Sequence, residues 1–137
     1  MREILFRGQC CTDGKWVEGY LGIEVPDELV IQQFSFDEYF KSDCIDQYSV
    51  KPETIGQYTG LTDKNAKKIF EHDILKAYDP LDKRYFIGVV KYFDASFYIC
   101  DTNSVPCYFG EYSFTDFEVE VIGNIYDNPE LMEGERL

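Results

Sequence analysis

The chain has one histidine, His72, and it stands between two acids in Glu71-His72-Asp73. An imidazole flanked by carboxylates is the raw material of acid-base catalysis or of a metal site. The spacing works against both. Consecutive side chains on an extended backbone point to opposite faces, so one ion or one migrating proton cannot gather all three. With no second histidine in the chain, His72 reads as a turn residue.

Thiols are the next candidates. Cys10, Cys11, Cys44, Cys100 and Cys107 include a vicinal pair but no C-x-x-C, and an odd count leaves at least one unpaired. Without paired spacing elsewhere, Cys10-Cys11 makes a poor soft-metal or redox site, and the five read as small apolar fillers in a reducing compartment. Carboxylate pairs are abundant in a chain with 26 acidic residues. Asp43 with Asp46, Glu118 with Glu120, and Glu133 with Glu135 each fit a solvated face; a hydrolase would not place its dyad on the wet side of a strand. The sequence contains no G-x-G-x-x-G, no P-loop pattern and no G-x-S-x-G elbow, and no calcium loop of alternating oxygen ligands. The expectation is a non-enzymatic protein without cofactor, metal or small-molecule substrate.

The elements that would carry these residues read as strands. Eleven Tyr and 11 Phe stand against one Trp among 137 residues, and rings suit half-buried pleated surfaces. EILFRG predicts a first strand, Asp13-Gly14 a turn, and KWVEGYLGIE a second strand with apolar residues on both parities. LVIQQFSF continues after the Pro26-Asp27 break, with Phe34 and Phe36 two residues apart and so on one face. Residues 37–46, acidic and aromatic together, read as a loop or short helix. QYSVKPETIGQYTG reads as extended, punctuated by Pro52, Gly56 and Gly60. ILKAY, YFIGVVKYF and SFYICD follow, the last two as a hairpin joined at Asp94-Ala95. Gly88 inside its strand predicts a bulge or a close backbone approach. CYFGEYSF is a weaker strand. In DFEVEVIGNIY, Phe117, Val119 and Val121 share one face against Glu118 and Glu120. Asp127 or Asn128 would cap a short terminal helix with Pro129 in its first turn.

The chain is one domain in length, long enough to bury a core without disulfides or metal. Thirteen basic against 26 acidic residues give a formal net charge of -13, which repels nucleic acid and keeps a tyrosine-rich surface soluble. Mimicry of DNA by an acidic protein is the sharper alternative. No apolar run reaches membrane-spanning length, and MREILFRG lacks the apolar stretch of a secretory signal, so the chain is expected in the cytoplasm.

In the middle, TDKNAKKIFEHDIL predicts two chain reversals around a buried Ile69-Phe70 pair. Asp63 and Asn65 suit turn geometry, and Glu71-His72-Asp73 reverses the chain again. Gly56, Gly60, Asp63, Asn65, His72 and Asp73 are thus a structural turn motif whose polar groups serve the backbone. R-E-I-L-F-R-G, D-G-K-W-V-E-G from Asp13, K-P-E-T-I-G-Q-Y-T-G-L-T-D-K-N from Lys51, K-I-F-E-H-D-I-L from Lys68 and V-I-G-N-I-Y-D-N-P-E-L from Val121 together resemble the YopX family of phage and prophage proteins. The resemblance implies a small β-barrel with an SH3-like portion, additional N-terminal strands and a short C-terminal helix, in a bacterial host cytoplasm. It brings no established activity and no catalytic residue. The chain departs from the family pattern at Asn65-Ala66, where Asn-Gly is usual, and at His72, where Gly is common. Because Ala66 resists positive φ, a longer or one-turn helical reversal is expected there in place of a two-residue primed turn.

The expected architecture is therefore mainly β, one domain over residues 1–137, with two packed lobes of about 1–50 and 51–137 left open. Phe34, Phe36, Tyr39, Tyr108 and Tyr112 are the candidate interaction surface, although strand aromatics are more often core. Exposed, they would dock a protein partner or a second copy. The expected function is that of an accessory protein acting through protein contacts and self-association; the alternative is a nucleic-acid-binding barrel face.

Overall fold

A computed structural model describes residues 4–24, 27–79, 83–93, 95–101, 106–108 and 118–133. It is mainly β, in two antiparallel sheets with one short C-terminal helix. The chain divides into two compact units, Met1–Tyr58 and Thr59–Leu137.

The first unit contains β1 (Phe6–Gln9), β2 (Trp16–Glu24), β3 (Glu28–Asp37), β4 (Ser42–Ser49), a 3-10 helix (Pro52–Thr54) and the first half of β5 (Gly56–Thr62), in the order β4-β3-β2-β1-β5. Asp13-Gly14 makes the predicted turn: Gly14 takes φ 74°, and the Asp13 carboxylate accepts the Lys15 N–H at 2.9 Å. The β3–β4 ladder runs without a break from Val30↔Ser49 to Asp37↔Ser42. This corrects the expectation of a loop or short helix over residues 37–46. Only four residues turn there, with Lys41 at φ 53°, and the Asp37 carboxylate accepts the N–H groups of Tyr39 and Phe40 at 2.8 and 3.0 Å. The acidic residues that suggested a loop are the turn's own backbone acceptor and the polar positions of an edge strand. In the Lys51–Ile55 stretch, read as extended, Pro52 opens a 3-10 turn. Thr54 closes it onto β1, its hydroxyl accepting the Gln9 N–H (2.9 Å) and donating to the Lys51 carbonyl (2.6 Å).

The second unit holds the rest of β5, then β6 (Lys68–Phe70), β7 (Asp73–Asp79), β8 (Arg84–Phe93), β9 (Ser96–Asp101), β10 (Pro106–Tyr108), β11 (Glu118–Asn124) and α1 (Glu130–Glu133). β6 neighbours β5, and the other strands form a sheet in the order β10-β9-β8-β7-β11. The mainly β class expected from sequence is present as two antiparallel sheets; among the described residues β10 and β11 do not pair, and in the first sheet Cys10 bridges Val50. Cross-strand register explains the core. Leu75↔Val121 and Ala77↔Val119 pair β7 with β11, and Val90↔Ile99 pairs β8 with β9. Their side chains line one sheet face and cluster with Ile69 and Phe97. Gly88 sits where a Cβ would collide with Ile99, a close approach that only glycine permits. The β8–β9 hairpin is present, closed by Phe93↔Ser96, with Ala95 at φ 60°. Asn128, expected to cap α1, turns its side-chain oxygen back to the Asn124 N–H (3.3 Å), while its carbonyl accepts the Leu131 N–H.

Candidate interaction surface

The turn motif shows what its polar groups touch. The Asp63 carboxylate is buried, yet three backbone N–H groups point at it. Oδ1 accepts those of Asn65 (2.8 Å) and Lys67 (2.9 Å), and Oδ2 accepts that of Val121 (2.9 Å) on β11. Burial by itself would raise its pKa. The bonds from Val121, Lys67 and Asn65 outweigh that and hold the carboxyl below its ordinary value of 3.8. Asp63 N–H donates to the Lys67 carbonyl and Ala66 N–H to the Asp63 carbonyl, enclosing Lys64, Asn65 and Ala66 in a three-residue loop. Such loops need a left-handed residue at their third position. Ala66 supplies it at φ 64°, against the expectation that alanine would resist, while the loop is longer than two residues as expected. The Asp63 bonds impose the turn, and the backbone of Ala66 follows.

Gly60, within β5, has φ 89°, which an L-residue avoids. Beside it the Thr59 hydroxyl, accepting the Leu61 N–H, donates to the Ile69 carbonyl at 2.8 Å. Gly56 is buried and pairs with Arg7. His72 is also left-handed, at φ 77°. Its N–H donates to the Val90 carbonyl (2.8 Å) and its carbonyl accepts the Ile125 N–H (3.1 Å). The imidazole stands edge-on to Tyr126, ring centroids 5.4 Å apart, with Nε2 3.8 Å from Glu71. Asp73 is buried, and its Oδ2 accepts the Phe70 N–H at 2.8 Å. The flanking acids of His72 thus serve different tasks, Asp73 as a backbone acceptor and Glu71 beside the ring. Ile69 and Phe70 are buried between the two reversals.

Among the described residues no three of His, Cys, Asp and Glu cluster to hold a metal, and Cys10, Cys11, Cys44 and Cys100 are free thiols. Cys10 is buried with Sγ 3.2 Å from the Thr12 hydroxyl, whereas Cys11 is exposed. Lys64 lies 3.6 and 3.5 Å from Glu118 and Glu120, so that carboxylate pair is an exposed ion-pair partner.

The aromatic candidates lie elsewhere. Phe34 is 56% and Phe36 52% exposed, against the tendency of strand aromatics to be core, and Tyr39 at the β3–β4 turn is 87% exposed. Register places Phe34 opposite Ile45 and Phe36 opposite Asp43. Paired and alternate residues share a face, so these four line one open groove with Ser35. Tyr20 of β2 extends it, its ring 5.6 Å from that of Phe34. Tyr39 packs edge-on against Phe40 at 4.9 Å. Tyr108 is placed by its backbone on β10 opposite Tyr98, and Tyr112 lies outside the described residues. Phe40 and Ile45 are not singled out from sequence, because residues 37–46 read there as a loop or short helix, nor is Tyr20, because its strand carries apolar residues on both parities. The signal was available in Asp37, whose side chain suits a turn start two residues before Tyr39.

Fold and surface together define a two-sheet antiparallel protein whose exposed aromatic face lies on β2, β3 and β4. The chain belongs to the YopX protein family, which it matches over residues 5–133. It is also similar to the crystal structure of protein EF1440 from Enterococcus faecalis, with a TM-score of 0.60 and 25% identity, over 96% of this chain and 99% of that one. No functionally curated protein shows significant similarity to it. Among the described residues no helix is long and apolar enough to cross a membrane.

Proposed function

We propose that this is a non-enzymatic phage or prophage accessory protein, acting in the bacterial cytoplasm through protein contacts, self-association among them. The observation that carries the reading is the aromatic face: Phe34, Phe36, Ile45 and Tyr20 all stay exposed on one side of a sheet. A contiguous apolar patch of that kind marks a contact surface in a soluble protein. Membership of the YopX family supports the phage setting. The turn motif supports the non-enzymatic part, because Asp63, Asp73 and Thr59 are all engaged with backbone groups.

Light scattering after size-exclusion chromatography tests it. The wild type runs above its monomer mass at high micromolar concentration, and the double variant Phe34→Ser, Phe36→Ser shifts toward monomer with an unchanged circular dichroism spectrum. A folded double variant with the same mass distribution as wild type would remove the aromatic face from the function.

A further inference from the structure

We propose that two copies associate by antiparallel pairing of β4 with β4 about a two-fold axis at Ile45, so that two sheets become one. The proposal deepens the self-association reading and rests on it.

β4 is the end strand of its sheet: its one ladder among the described residues is with β3, and its outer edge is taken at the base alone, where Ser49 bonds Cys11 and Val50 bridges Cys10. Native edges are usually blunted by proline, bulges or short length. β4 has none of these over the eight pairs of an unbroken ladder, and its protection is the charge of Asp43 and Asp46. The bonding at its base shows which groups face outward. Ser49 is paired with Val30, yet its carbonyl accepts the Cys11 N–H (2.9 Å), while the next N–H, that of Val50, goes to the Leu29 carbonyl (3.4 Å). Alternate residues of an antiparallel strand direct both backbone groups to the same side. Asp43, Ile45 and Gln47 therefore present N–H and C=O to the free edge, and Cys44 and Asp46 present theirs to β3.

A two-fold axis normal to the sheet allows only registers in which a residue meets its own copy. Centring on Asp43 or Asp46 sets carboxylates directly opposite, which is repulsive. Centring on Gln47 requires the Ser49 carbonyl that Cys11 already occupies. Centring on Cys44 sets Asp43 against an apolar Ile45. Centring on Ile45 pairs Ile45 with Ile45, Asp43 with Gln47 and Cys44 with Asp46, with no like charges opposed. Because Phe34 is the cross-strand partner of Ile45, that register also joins Phe34, Ile45, Ile45 and Phe34 in one stripe across four strands. Each copy carries a net charge of -13, so added salt strengthens the pairing by screening the repulsion between copies.

Amide hydrogen exchange followed by NMR across a concentration series tests this. On raising concentration, and further on raising salt, the amides of Asp43, Ile45 and Gln47 gain protection by roughly tenfold or more, while those of Cys44 and Asp46 are already protected when dilute. Ile45→Lys, which opposes two ammonium groups at the axis, abolishes the gain and leaves the dilute spectrum intact. In a Cys11→Ser, Cys44→Ser background, Ile45→Cys forms an intermolecular disulfide joining position 45 to itself, seen by peptide mass spectrometry. A gain in mass without odd-residue protection overturns the edge pairing and leaves association through the aromatic face standing. A linked Cys44–Cys44 peptide in the wild type, together with no 45–45 link in the Ile45→Cys variant, overturns the register. Monomer at all concentrations and salts overturns the proposal and the self-association reading together.

Discussion

Replacing Asp63 by asparagine keeps the size of the side chain and removes its charge from a site where both carboxylate oxygens are occupied. In wild type Oδ1 serves Asn65 and Lys67 and Oδ2 serves Val121. The amide can still accept through one oxygen, but its NH2 group then meets the Val121 N–H, donor against donor. A hydrogen bond to a charged group contributes about 1.5–3 kcal/mol, and neutral acceptors are roughly half as strong. Asp63 is buried but Lys64, Asn65, Ala66 and Lys67 around it are exposed, so the lower part of that range applies and Asp63→Asn is expected to lose about 2 kcal/mol. Asp63→Ala, which orphans all three donors, is expected to lose about 3–4 kcal/mol. The same carboxylate makes the effect depend on pH. Its folded pKa lies below the ordinary 3.8, so its contribution is complete above that value and disappears as pH falls through the folded one. Urea unfolding of wild type and both variants at pH 7 and at a pH well below 3.8 is the assay. The wild-type advantage over Asp63→Asn is large at neutral pH and shrinks toward nothing in acid. An asparagine variant within about 0.5 kcal/mol of wild type at pH 7, or a gap indifferent to pH, would refute the carboxylate's role as the clamp of this turn.

Ala66→Gly relieves a left-handed alanine at φ 64°, a conformation costing roughly 1–2 kcal/mol. After the extra entropy of glycine in the unfolded chain, a gain of about 0.5–1 kcal/mol remains, read as a rise in Tm of a few degrees; a fall in Tm would contradict the loop geometry. Gly60→Ala imposes the reverse strain at φ 89° and is expected to lose about 1–2 kcal/mol in the same melts, against no change if the bend is not required.

The strands and their faces were legible in the sequence wherever one rule sufficed. Alternation in Val119, Glu120 and Val121 declared a wet and a dry face, and β11 has them. Gly88 in a strand declared a close approach, and Ile99 makes it. Legibility failed where the winning interaction is long-range. Nothing near Asp63 in sequence announces Val121, 58 residues on, whose N–H takes the second carboxylate oxygen while the first holds the turn around Ala66. The same holds for β4: a strand whose eight residues include two Asp, two Ser and a Gln has weak intrinsic β preference despite Ile45 and Tyr48. It forms because β3 supplies a ladder of eight partners. The aromatic face was half-legible, since the Phe34–Phe36 spacing gave a shared side, but whether that side was covered depended on the neighbouring strand.

The acidity of the chain and the openness of its β2–β4 region belong to one physical argument. An unbulged edge strand flanked by Phe34, Phe36 and Ile45 is the kind of surface that polymerises when nothing limits it. Two features limit it here. Asp43 and Asp46 lie on opposite faces of β4, since their positions differ by an odd number. Either one, placed at the axis, opposes its own copy, which leaves few tolerable registers. A long-range repulsion between copies of net charge -13 sets a threshold that only a well-matched contact exceeds. In the proposed pairing closure follows from the geometry as well: a two-fold axis would consume the β4 edge of both partners and end the contact at two copies rather than a fibre. In the proposed dimer, charge that the sequence alone offered as a solubility device would select the register. Neutralising both aspartates, as Asp43→Asn with Asp46→Asn, should admit the slipped registers and broaden the mass distribution beyond a dimer in light scattering. A variant that remains a clean dimer would show that the Ile45 stripe sets the register without help from charge.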